Sequence, residues 1–331
     1  MKTILNDSKD PRFNLALEEY VLKTLNHDDD FVLLWQNANS VIIGRNQNTL
    51  EEINAQYVKD HDVKVVRRIT GGGTVYHDLG NLNFSFITEN LKDNLNNYKK
   101  FTQPVIDALQ SLGIPAEFQG RNDIVVEDKK ISGNAQSYYK NKMLHHGTIL
   151  FDADLSIIAD VLNVKVDKIA SKGIKSNRAR VTNIKPYLKE PMDVVSFKEL
   201  LLKHLLQTDT IIDHVYALTE ADYHAIETLM QERYMTFEWN YGESPESQVV
   251  REKRYAGGSL QLHFDVKEGR FAHFKIFGDF LGSKPLEDLE KDFVNISYNE
   301  DAVRAMLEHH PVEEYFFNIT ADDVIDCLFY S

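Results

Sequence analysis

Cysteine is nearly absent from this chain of 331 residues, which contains one, Cys327. A single thiol cannot form a disulfide within the chain, and it cannot build a zinc site from several cysteines. Cys327 lies in the apolar segment "ADDVIDCLFY", so we expect a small buried side chain rather than a nucleophile. The sequence therefore excludes a disulfide-stabilised scaffold and gives little support to a thiol enzyme.

Positive charge is also scarce. The chain has 37 lysines and arginines against 51 aspartates and glutamates, for a formal net charge of -14. Such a chain is not attracted as a whole to nucleic acid or to an anionic membrane surface, so we expect neither as a partner. Any site for an anion must be a local cluster of cations.

Long apolar runs are missing as well. No stretch reaches the roughly 18 apolar residues of a membrane span, and "MKTILNDSKDPRF" lacks the apolar segment of a signal peptide. With 43% hydrophobic and 27% charged residues, the composition is that of an ordinary folded protein. These features predict a cytoplasmic globular protein with one large domain or two unequal ones.

Two common phosphate-binding motifs, Gly-x-x-x-x-Gly-Lys-Ser/Thr and Gly-x-Gly-x-x-Gly, do not occur. The chain has instead "RRITGGGTVYHD", in which Gly71, Gly72 and Gly73 follow a predicted strand. Successive glycine amides can hold an anion. Arg67 and Arg68 alternate across the strand, so one of them can reach that anion. A glycine bulge in a bent sheet explains the glycines alone equally well.

A second cluster of polar residues lies in "GRNDIVVEDKKISGNAQ". Lys130 comes just before Gly133, and a lysine there can stabilise negative charge that develops on a phosphate. Asp123 is a candidate ligand for Mg²⁺, which prefers hard oxygen ligands. The alternative is an exposed lysine in a charged hairpin turn.

Two further stretches carry basic or titratable side chains. His145 and His146 precede the strand pattern of "HHGTILFD", where they can line a pocket or serve as hydrogen-bonded structural residues. The segment "SKGIKSNRARVTN" contains Lys172, Arg178 and Arg180. It reads either as a solvated surface or as a loop that closes over phosphate.

Strand patterns come in adjacent pairs rather than alternating with helices, which predicts an α+β fold with a mixed, mainly antiparallel sheet and flanking helices. "FVLLWQN" and "SVIIGR" are predicted to pair across a turn, and "NLNFSFIT" to form a half-buried strand. One helix should be capped by Asp152 or Asp154. The predicted helices lie near residues 11–25, 98–112, 152–162, 196–207 and 220–234.

A domain boundary is predicted near "NYGESPESQ", which is rich in polar and turn residues. It divides the chain into a catalytic domain, residues 1–243, and a small α+β accessory domain, residues 250–331. The second domain should contain a hairpin around "KEGR", followed by two or three helices.

Taken in order, "RRITGGGTVYHDLGNLNFSF", "GRNDIVV", "KKISGNAQ", "HHGTILFDADL" and "SKGIKSNRARVTN" closely resemble the lipoate-protein ligase A family. "EWNYG" and "GGSLQLHFDVKEGR" resemble its C-terminal segment. The resemblance implies a biotin ligase-like catalytic domain and an enzyme that uses ATP and Mg²⁺ to convert lipoate to lipoyl-adenylate. It also implies transfer of the lipoyl group to a lysine of the E2 lipoyl domains of 2-oxoacid dehydrogenases or of the glycine cleavage H protein. We expect a monomer.

The resemblance also implies roles for individual residues. Lys130 would contact both the lipoate carboxylate and the adenylate phosphate, and Asp123 would be the magnesium ligand. The residues implied in ATP binding are Arg68, Gly71, Gly72, Gly73, Thr74, Val75, Tyr76, Asp123 and Lys130. Those implied at the acyl pocket are Lys130, Arg67, His77 and His146, and those in the loop that closes over the adenylate are Lys172, Arg178 and Arg180.

Three alternatives remain open at this stage. An octanoyl or lipoyl transferase of the same superfamily would need no ATP, and its cysteine-dependent versions would need a thiol in the catalytic domain. A biotin ligase should carry a Gly-Arg-Gly-Arg loop, which this sequence lacks. A non-catalytic lipoate-binding module would have no use for a phosphate site. No residue is an evident general base for the transfer step.

Overall fold

The computed structural model describes residues 1–27, 29–89, 94, 96–162, 181–241 and 249–330. A seven-stranded sheet organises the larger part of the chain, and a three-stranded sheet packs beside it. The strands of these two sheets, in chain order, are β1 (Lys2–Thr3), β2 (Phe31–Trp35), β3 (Ser40–Ile43), β4 (Lys64–Arg67), β5 (Val75–His77), β6 (Asn81–Thr88), β7 (Ala116–Gln119), β8 (Asp123–Val126), β9 (Lys129–Tyr139) and β10 (Lys142–Leu150).

The large sheet has the order β1-β2-β6-β10-β9-β8-β7. Its strands are antiparallel to their neighbours except for the parallel pair β1 and β2. The small sheet has the order β4-β3-β5, in which β3 is parallel to β4 and antiparallel to β5. The architecture is therefore the predicted α+β fold with a mainly antiparallel sheet.

Strands β2 and β3 are present, but the prediction that they pair with each other is wrong. Strand β2 joins the large sheet beside β6, whereas β3 is the centre of the small sheet. Every residue of both strands is buried. An apolar run buried on both faces indicates a strand inside the protein, but it does not say which strand lies next to it.

The prediction for β6 also needs correction, because all eight of its residues are buried rather than half of them. Leu82, Phe84 and Phe86 face one core, as predicted. Asn83 and Ser85 point to the other face, where protein rather than solvent covers them. That second face carries the cavity described below.

Helices cover both faces of the large sheet. One face packs against the helices that contain Phe101 and Phe197, and the other against the first helix, which contains Leu15 and Leu22. The helices of this part of the chain are α1 (Pro11–Lys23), α2 (Thr49–Glu52), α3 (Ala55–Asp60), α4 (Tyr98–Ser111), α5 (Ile158–Val161), α6 (Val194–Leu206), α7 (Glu220–Leu229) and α8 (Phe237–Tyr241).

Helix α5 is shorter than predicted, and neither candidate aspartate caps it. Its N-cap residue is Ile157, which has no side-chain capping bond. Asp154 instead accepts a hydrogen bond from the Ser156 N–H at 2.9 Å in the turn before the helix. Asp152 forms an ion pair with Lys185. The aspartates thus stabilise the approach to the helix rather than its first turn.

The C-terminal part has its own sheet and core. Strands β12 and β13 form the predicted hairpin, and β11, which was not predicted, pairs with β12. Four helices follow instead of two or three. These elements are β11 (Val249–Tyr255), β12 (Gly258–Lys267), β13 (Arg270–Gly278), α9 (Glu287–Phe293), α10 (Glu300–Leu307), α11 (Val312–Tyr315) and α12 (Ala321–Tyr330).

This C-terminal unit, residues 249–330, contacts the rest of the protein through hydrogen bonds to its backbone. The Gly278 N–H donates to the Asn46 carbonyl at 2.7 Å, and the Arg121 guanidinium donates to the Gly257 carbonyl. The predicted domain boundary falls at residues 242–248, outside the described residues, and stays a prediction. None of the helices in the described ranges combines the length and the hydropathy that a bilayer-spanning helix needs.

Candidate active site

A cavity lies between the α1 face of the large sheet and the small sheet. One row of paired strand positions forms part of its floor: Trp35 pairs with Asn83, and Asn83 with Thr148. The Thr148 hydroxyl accepts a hydrogen bond from the Gly133 N–H at 3.3 Å, which extends the row to β9. The other lining residues are Leu15, Ile42, Arg68, Gly72, Gly73, Thr74, Val75, His77, Asn122, Lys130, Asn134, Ala135, His146 and Gly147.

The two ends of the cavity differ in polarity. At the β2 end, Leu15, Trp35 and Ile42 provide apolar walls, and at the β9 end Lys130 and Asn122 provide polar groups. The two ends lie three strand spacings apart in the order β2-β6-β10-β9, or about 14 Å. The cavity therefore fits an elongated molecule with an apolar body and a polar head.

Lys130 is held at the polar end by an ion pair, and the absence of a side chain at Gly133 leaves room for it there. Its Nζ lies 2.8 Å from Asp123 Oδ1, and both side chains are about one-third exposed. A Cβ added at Gly133 would lie 2.9 Å from the same Nζ. Glycine at this position therefore lets the lysine lie across the strand. Val181, the first described residue after position 162, pairs with Lys130 in parallel.

The glycine loop wraps around Arg68. This guanidinium donates hydrogen bonds to the carbonyls of Gly71 at 2.6 Å and Gly73 at 2.9 Å. Gly72 has a φ of +90°, and a Cβ at Gly44 would lie 1.9 Å from the Gly72 oxygen. By contrast, no atom of the residues that the structure describes lies within 4 Å of a Cβ built at Gly73. The loop is packed at its first two glycines and open at the third.

The C-terminal unit covers the packed side of this loop. The Gly72 N–H donates to the Phe280 carbonyl at 3.1 Å. Leu281 is 1% exposed and packs against Tyr98 and Ala135. One of the amides that could bind an anion is therefore bonded to the accessory unit, which the sequence did not indicate.

The two adjacent arginines point in different directions. Arg67 donates to the carbonyls of Gly44, Arg45 and Gln47 at 2.7 to 2.9 Å, so its side chain does not line the cavity. Arg68 lines the cavity. Burial lowers the pKa of each guanidinium to about 10, and for Arg68 the negative charge of Glu18 opposes that effect. Both stay cationic at neutral pH.

His146 belongs to a buried chain of hydrogen bonds that ends at Arg68. Its Nδ1 lies 3.1 Å from both carboxylate oxygens of Glu18, and its Nε2 lies 2.8 Å from the Thr70 hydroxyl. The same hydroxyl accepts from Arg68 Nε at 2.9 Å. Glu18 is 1% exposed, so its charge acts in a dry environment. This chain fixes the arginine relative to the cavity.

His145 occupies the opposite face of the same strand. Its Nδ1 lies 3.0 Å from Gln136 Nε2, and its Nε2 lies 3.2 Å from Asn134 Oδ1. Burial and the neighbouring His146 hold the pKa of His145 well below its usual value. His145 is thus the structural member of the pair, and His146 is the one that reaches the cavity.

The structure brings together most of the predicted site residues, but not all. Tyr76 points away from the cavity and donates to Asn39 Oδ1 at 3.0 Å. Thr74 donates to Gln47 Oε1 at 2.8 Å at the edge of the loop. The predicted residues that line the cavity are Arg68, Gly72, Gly73, Thr74, Val75, His77, Lys130 and His146. Those that do not are Arg67, Gly71, Tyr76 and Asp123, and Lys172, Arg178 and Arg180 lie outside the described residues.

Sequence reasoning missed several lining residues. Thr148 could have been found, because it follows His146 by two positions on a strand and must share its face. Asn83 could also have been found, had the polar face of β6 been assigned to a site rather than to solvent. Trp35 gave no such signal, because it belongs to an apolar run that reads as core. Glu18 does not line the cavity, but its contact with His146 was missed as well, because it belongs to a helix that packs in the core through Leu15, Leu17 and Leu22.

Cys327 lies far from this chemistry. It is fully buried in the core of the C-terminal unit, where its thiol contacts the Leu260 carbonyl at 3.7 Å. It does not line the cavity. A cysteine nucleophile at this site is therefore excluded.

The donors at the polar end suit a magnesium ion only if substrate phosphates and water complete its coordination. Across the described ranges, no group of three or more His, Cys, Asp and Glu side chains could hold a metal ion. Asp123 supplies one carboxylate beside the cavity. Magnesium is often bound by one or two carboxylates together with substrate phosphates and water, and Asp123 fits that mode.

The chain matches two protein-family models. Residues 10–206 match the lipoyl protein ligase A/B catalytic domain, and residues 244–328 match the bacterial lipoate protein ligase C-terminus. The chain is 47% identical over 321 residues to lipoate-protein ligase LplJ of Bacillus subtilis, covering 97% of both chains. It is 44% identical over 326 residues to lipoate–protein ligase 1 of Staphylococcus aureus, covering 98% of this chain and 99% of the other.

Solved structures give the same picture. P. falciparum LipL1 in complex with lipoate superimposes with a TM-score of 0.78 at 27% identity, covering 93% of this chain and 94% of the other. A lipoate-protein ligase A bound with ATP has a TM-score of 0.61 at 28% identity, covering 73% and 98%. A bipartite ligase from Thermoplasma acidophilum, described with its E2 lipoyl domain, has a TM-score of 0.63 at 29% identity, covering 75% and 98%.

Proposed function

The chain belongs to the lipoyl protein ligase A/B family, and we propose that it is an ATP-dependent lipoate-protein ligase. The observation that carries this proposal is the cavity, which is apolar at the β2 end, has Lys130 at its polar end and is also lined by Gly72 and Gly73 of the glycine loop. An acyl chain fits the first part and an anionic head the second. The relatives named as lipoate-protein ligases support the same assignment.

In the first step, a carboxylate oxygen of lipoate attacks the α-phosphorus of ATP. The bond between that phosphorus and the bridging oxygen of the β-phosphate breaks, and pyrophosphate leaves with the electron pair. Lipoyl-adenylate forms. The step is needed because a free carboxylate is a poor acyl donor, whereas AMP is a good leaving group. The main difficulty of this step is to hold two anions, the lipoate carboxylate and the ATP phosphates, close together.

Lys130 is the residue to which we assign that task. Its Nζ is fixed by Asp123 and lies over Gly133, so its charge is in place before the substrates bind. A preorganised cation stabilises charge that develops in the transition state at little cost of reorganisation. Asp123 would also hold magnesium, which would neutralise charge on the phosphate oxygens.

Arg68 and Gly73 are proposed to face ATP. Four hydrogen bonds, to Thr70, Ile42, Gly71 and Gly73, hold the Arg68 side chain. Its role is then to keep the loop in shape and to contribute positive charge. Gly73 leaves room for a phosphate to approach the backbone. The acyl pocket would be bordered by Trp35, His77 and His146 rather than by Arg67.

In the second step, the neutral ε-amine of a lysine on the acceptor protein attacks the lipoyl carbonyl carbon, and AMP leaves with the electron pair of the broken C–O bond. The nitrogen gives up one proton to water or to the departing phosphate, which leaves an amide. We propose E2 lipoyl domains and the glycine cleavage H protein as acceptors. Among the structural neighbours, the T. acidophilum ligase is described with an E2 lipoyl domain. A monomeric state, a cytoplasmic location and the roles of Lys172, Arg178 and Arg180 stay predictions from the sequence.

Lipoate-dependent exchange of label between pyrophosphate and ATP tests the proposal. We expect exchange that requires lipoate, ATP and Mg²⁺ together. Absence of exchange, with octanoyl transfer from a carrier protein in the absence of ATP, would show that the chain is a transferase. Lipoate binding with neither activity would show a binding module.

A further inference from the structure

His77 is a buried histidine that lines the cavity and is not needed for the adenylation step described above. It is 3% exposed and is one of the residues that line the cavity. It pairs with Ser40 across the small sheet. Its Nδ1 lies 3.1 Å from Asn37 Nδ2, and Asn37 follows the end of β2, the strand that carries Trp35. His77 therefore belongs to the apolar end of the cavity.

A chain of buried amides fixes which nitrogen of His77 carries the proton. Asn14 Nδ2 lies within hydrogen-bond distance of two backbone carbonyls, Ser8 O at 3.1 Å and Gln36 O at 2.9 Å, so this atom is a donor. The same NH₂ group lies 2.9 Å from Asn37 Oδ1. The Asn37 amide is then oriented with its oxygen toward Asn14 and its NH₂ toward His77. His77 Nδ1 is consequently an acceptor, and Nε2 carries the hydrogen.

That hydrogen has no partner within the part of the chain that the structure describes. His77 Nε2 is a buried atom without a hydrogen bond to a described residue. Burial, together with the charges of Arg68 and His146, lowers the pKa of His77 to about 3, so the ring is neutral at physiological pH. An unpaired buried donor is costly, and such groups are rare without a reason. A ligand that accepts this hydrogen bond would remove the cost.

We propose that His77 Nε2–H donates a hydrogen bond to a sulfur of the dithiolane ring and so selects lipoate over acids of the same shape that lack sulfur. This inference rests on the proposed function, because it takes lipoate as the acid. Lys130 and Gly133 receive the carboxylate at the β9 end, about 14 Å from β2. The opposite end of the molecule, which is the ring, then lies beside Trp35 and His77.

The chemistry of the two ends supports sulfur as the acceptor. Leu15, Trp35 and Val75, which line this part of the cavity, offer apolar surface to an acyl chain. A hydrocarbon tail has nothing that accepts a hydrogen bond, so it would leave the His77 donor buried and unpaired. The ring sulfurs have lone pairs and accept weakly. The preference for lipoate over an acid with a hydrocarbon tail should therefore be measurable but modest.

The test compares two acids that differ in sulfur and little else. Lipoate and 5-cyclopentylpentanoate carry the same chain and a five-membered ring, and each is used as substrate in the exchange of label between pyrophosphate and ATP. We expect the wild-type protein to favour lipoate by about tenfold in kcat/KM. His77→Leu should reduce that preference to within about twofold. His77→Gln should retain much of it, because its amide can donate from nearly the position of Nε2.

A matched control is available in His61→Leu, the same substitution at an exposed histidine in the turn between α3 and β4. It should leave the preference unchanged. The inference is overturned if the preference for lipoate is the same in the wild type and in His77→Leu. An equal loss with both acids is one form of that result, and it would place His77 at the carboxylate.

Failure of the proposed function would look different. The wild-type protein would then show no exchange with either acid. In that case, calorimetric titration of the two acids into the wild type and His77→Leu still measures the preference, because it needs no turnover. A preference for lipoate in binding that disappears in His77→Leu supports the inference, and its absence contradicts it.

Discussion

Lys130 and Arg68 are two cations at one cavity, and they differ in what holds them. Lys130 has an ion pair with Asp123 and is about one-third exposed. Arg68 is 6% exposed and is held by four acceptors. A substrate can therefore reach the lysine at once, whereas direct contact with most of the Arg68 donors would require the loop to change shape. This difference assigns a catalytic role to Lys130 and a role in holding the glycine loop to Arg68.

Replacing Lys130 tests the first assignment. Lys130→Ala should lower lipoate-dependent exchange by about 10²–10³, because one preorganised charge donor is lost. Lys129→Ala is the matched control, since Lys129 is the exposed neighbour on the same strand, and it should retain near-normal exchange. Circular dichroism checks that both variants are folded. Equal exchange in the two variants would contradict the assignment.

His77 should also make the fold sensitive to acid. Its pKa is about 3 in the folded state and about 6.5 in the unfolded state. Between these values the unfolded chain binds a proton that the folded chain does not, so stability rises with pH in this range and is lost as pH falls. Above pH 7 the residue contributes nothing to the pH dependence.

Urea unfolding of the wild type and His77→Gln at pH 5, 6 and 7 measures this effect. Between pH 6 and 5, the wild type should lose about 1 kcal/mol more of its free energy of unfolding than the variant does. The neighbouring charges, Arg68 and His146, are present in both proteins and cancel in the comparison. Parallel pH profiles for the two proteins would mean that the imidazole titrates normally.

At the level of strands and loops, the sequence predicts well how side chains alternate between the two faces of a strand. It predicted that Arg67 and Arg68 point to opposite sides, and in the structure Arg68 lines the cavity whereas Arg67 does not. It failed for β6, where Asn83 and Ser85 were read as facing solvent. A period of two says that one face is polar, but the same pattern results whether water or a polar cavity lies opposite.

Two parts of the site could not be predicted from local pattern at all. The adjacency of β3, β4 and β5 depends on contacts between segments far apart in sequence. The contact of Phe280 with the glycine loop depends on how the C-terminal unit packs. The resemblance to a family supplied the identity of the cavity, and the family models confirm that resemblance.

The glycine loop offers a pair of substitutions that separate packing from binding. A Cβ at Gly71 would lie 2.7 Å from the Phe280 carbonyl, whereas one at Gly73 meets no atom of the described part of the chain within 4 Å. Gly71→Ala should therefore lower the midpoint of thermal unfolding. Gly73→Ala should leave it nearly unchanged but raise the KM for ATP, because the methyl group occupies the space proposed for phosphate. The reverse pattern would place the nucleotide elsewhere.

Over the whole molecule, the C-terminal unit packs directly behind residues that line the site and is not a distant appendage. Leu281 is buried between Tyr98 and Ala135, and Ala135 also lines the cavity. Phe280 accepts from the glycine loop. A change in the position of this unit must therefore displace residues that line the cavity, because only one or two contacts separate them.

Leu281→Ala measures how strongly the two parts hold each other. Removing a buried leucine side chain typically costs about 2–5 kcal/mol, depending on how far the site can collapse. We expect a loss in this range in the free energy of unfolding by urea. Val250→Ala, at a 46% exposed position in the same unit, should change it by less than about 0.5 kcal/mol. Similar small effects for both would mean that the interface contributes little.

Cys327 gives the molecule a built-in reporter of its own opening. It is the single thiol of the sequence, and it lies with no exposed surface in the core of the C-terminal unit. A thiol reagent can reach it only when that core opens, and a rigid displacement of the unit leaves it shielded. The rate of labelling, measured with and without lipoate and ATP, therefore distinguishes two kinds of motion. Rigid-body movement of the unit leaves the rate unchanged, whereas local unfolding of the unit raises it, and no engineered residue is needed.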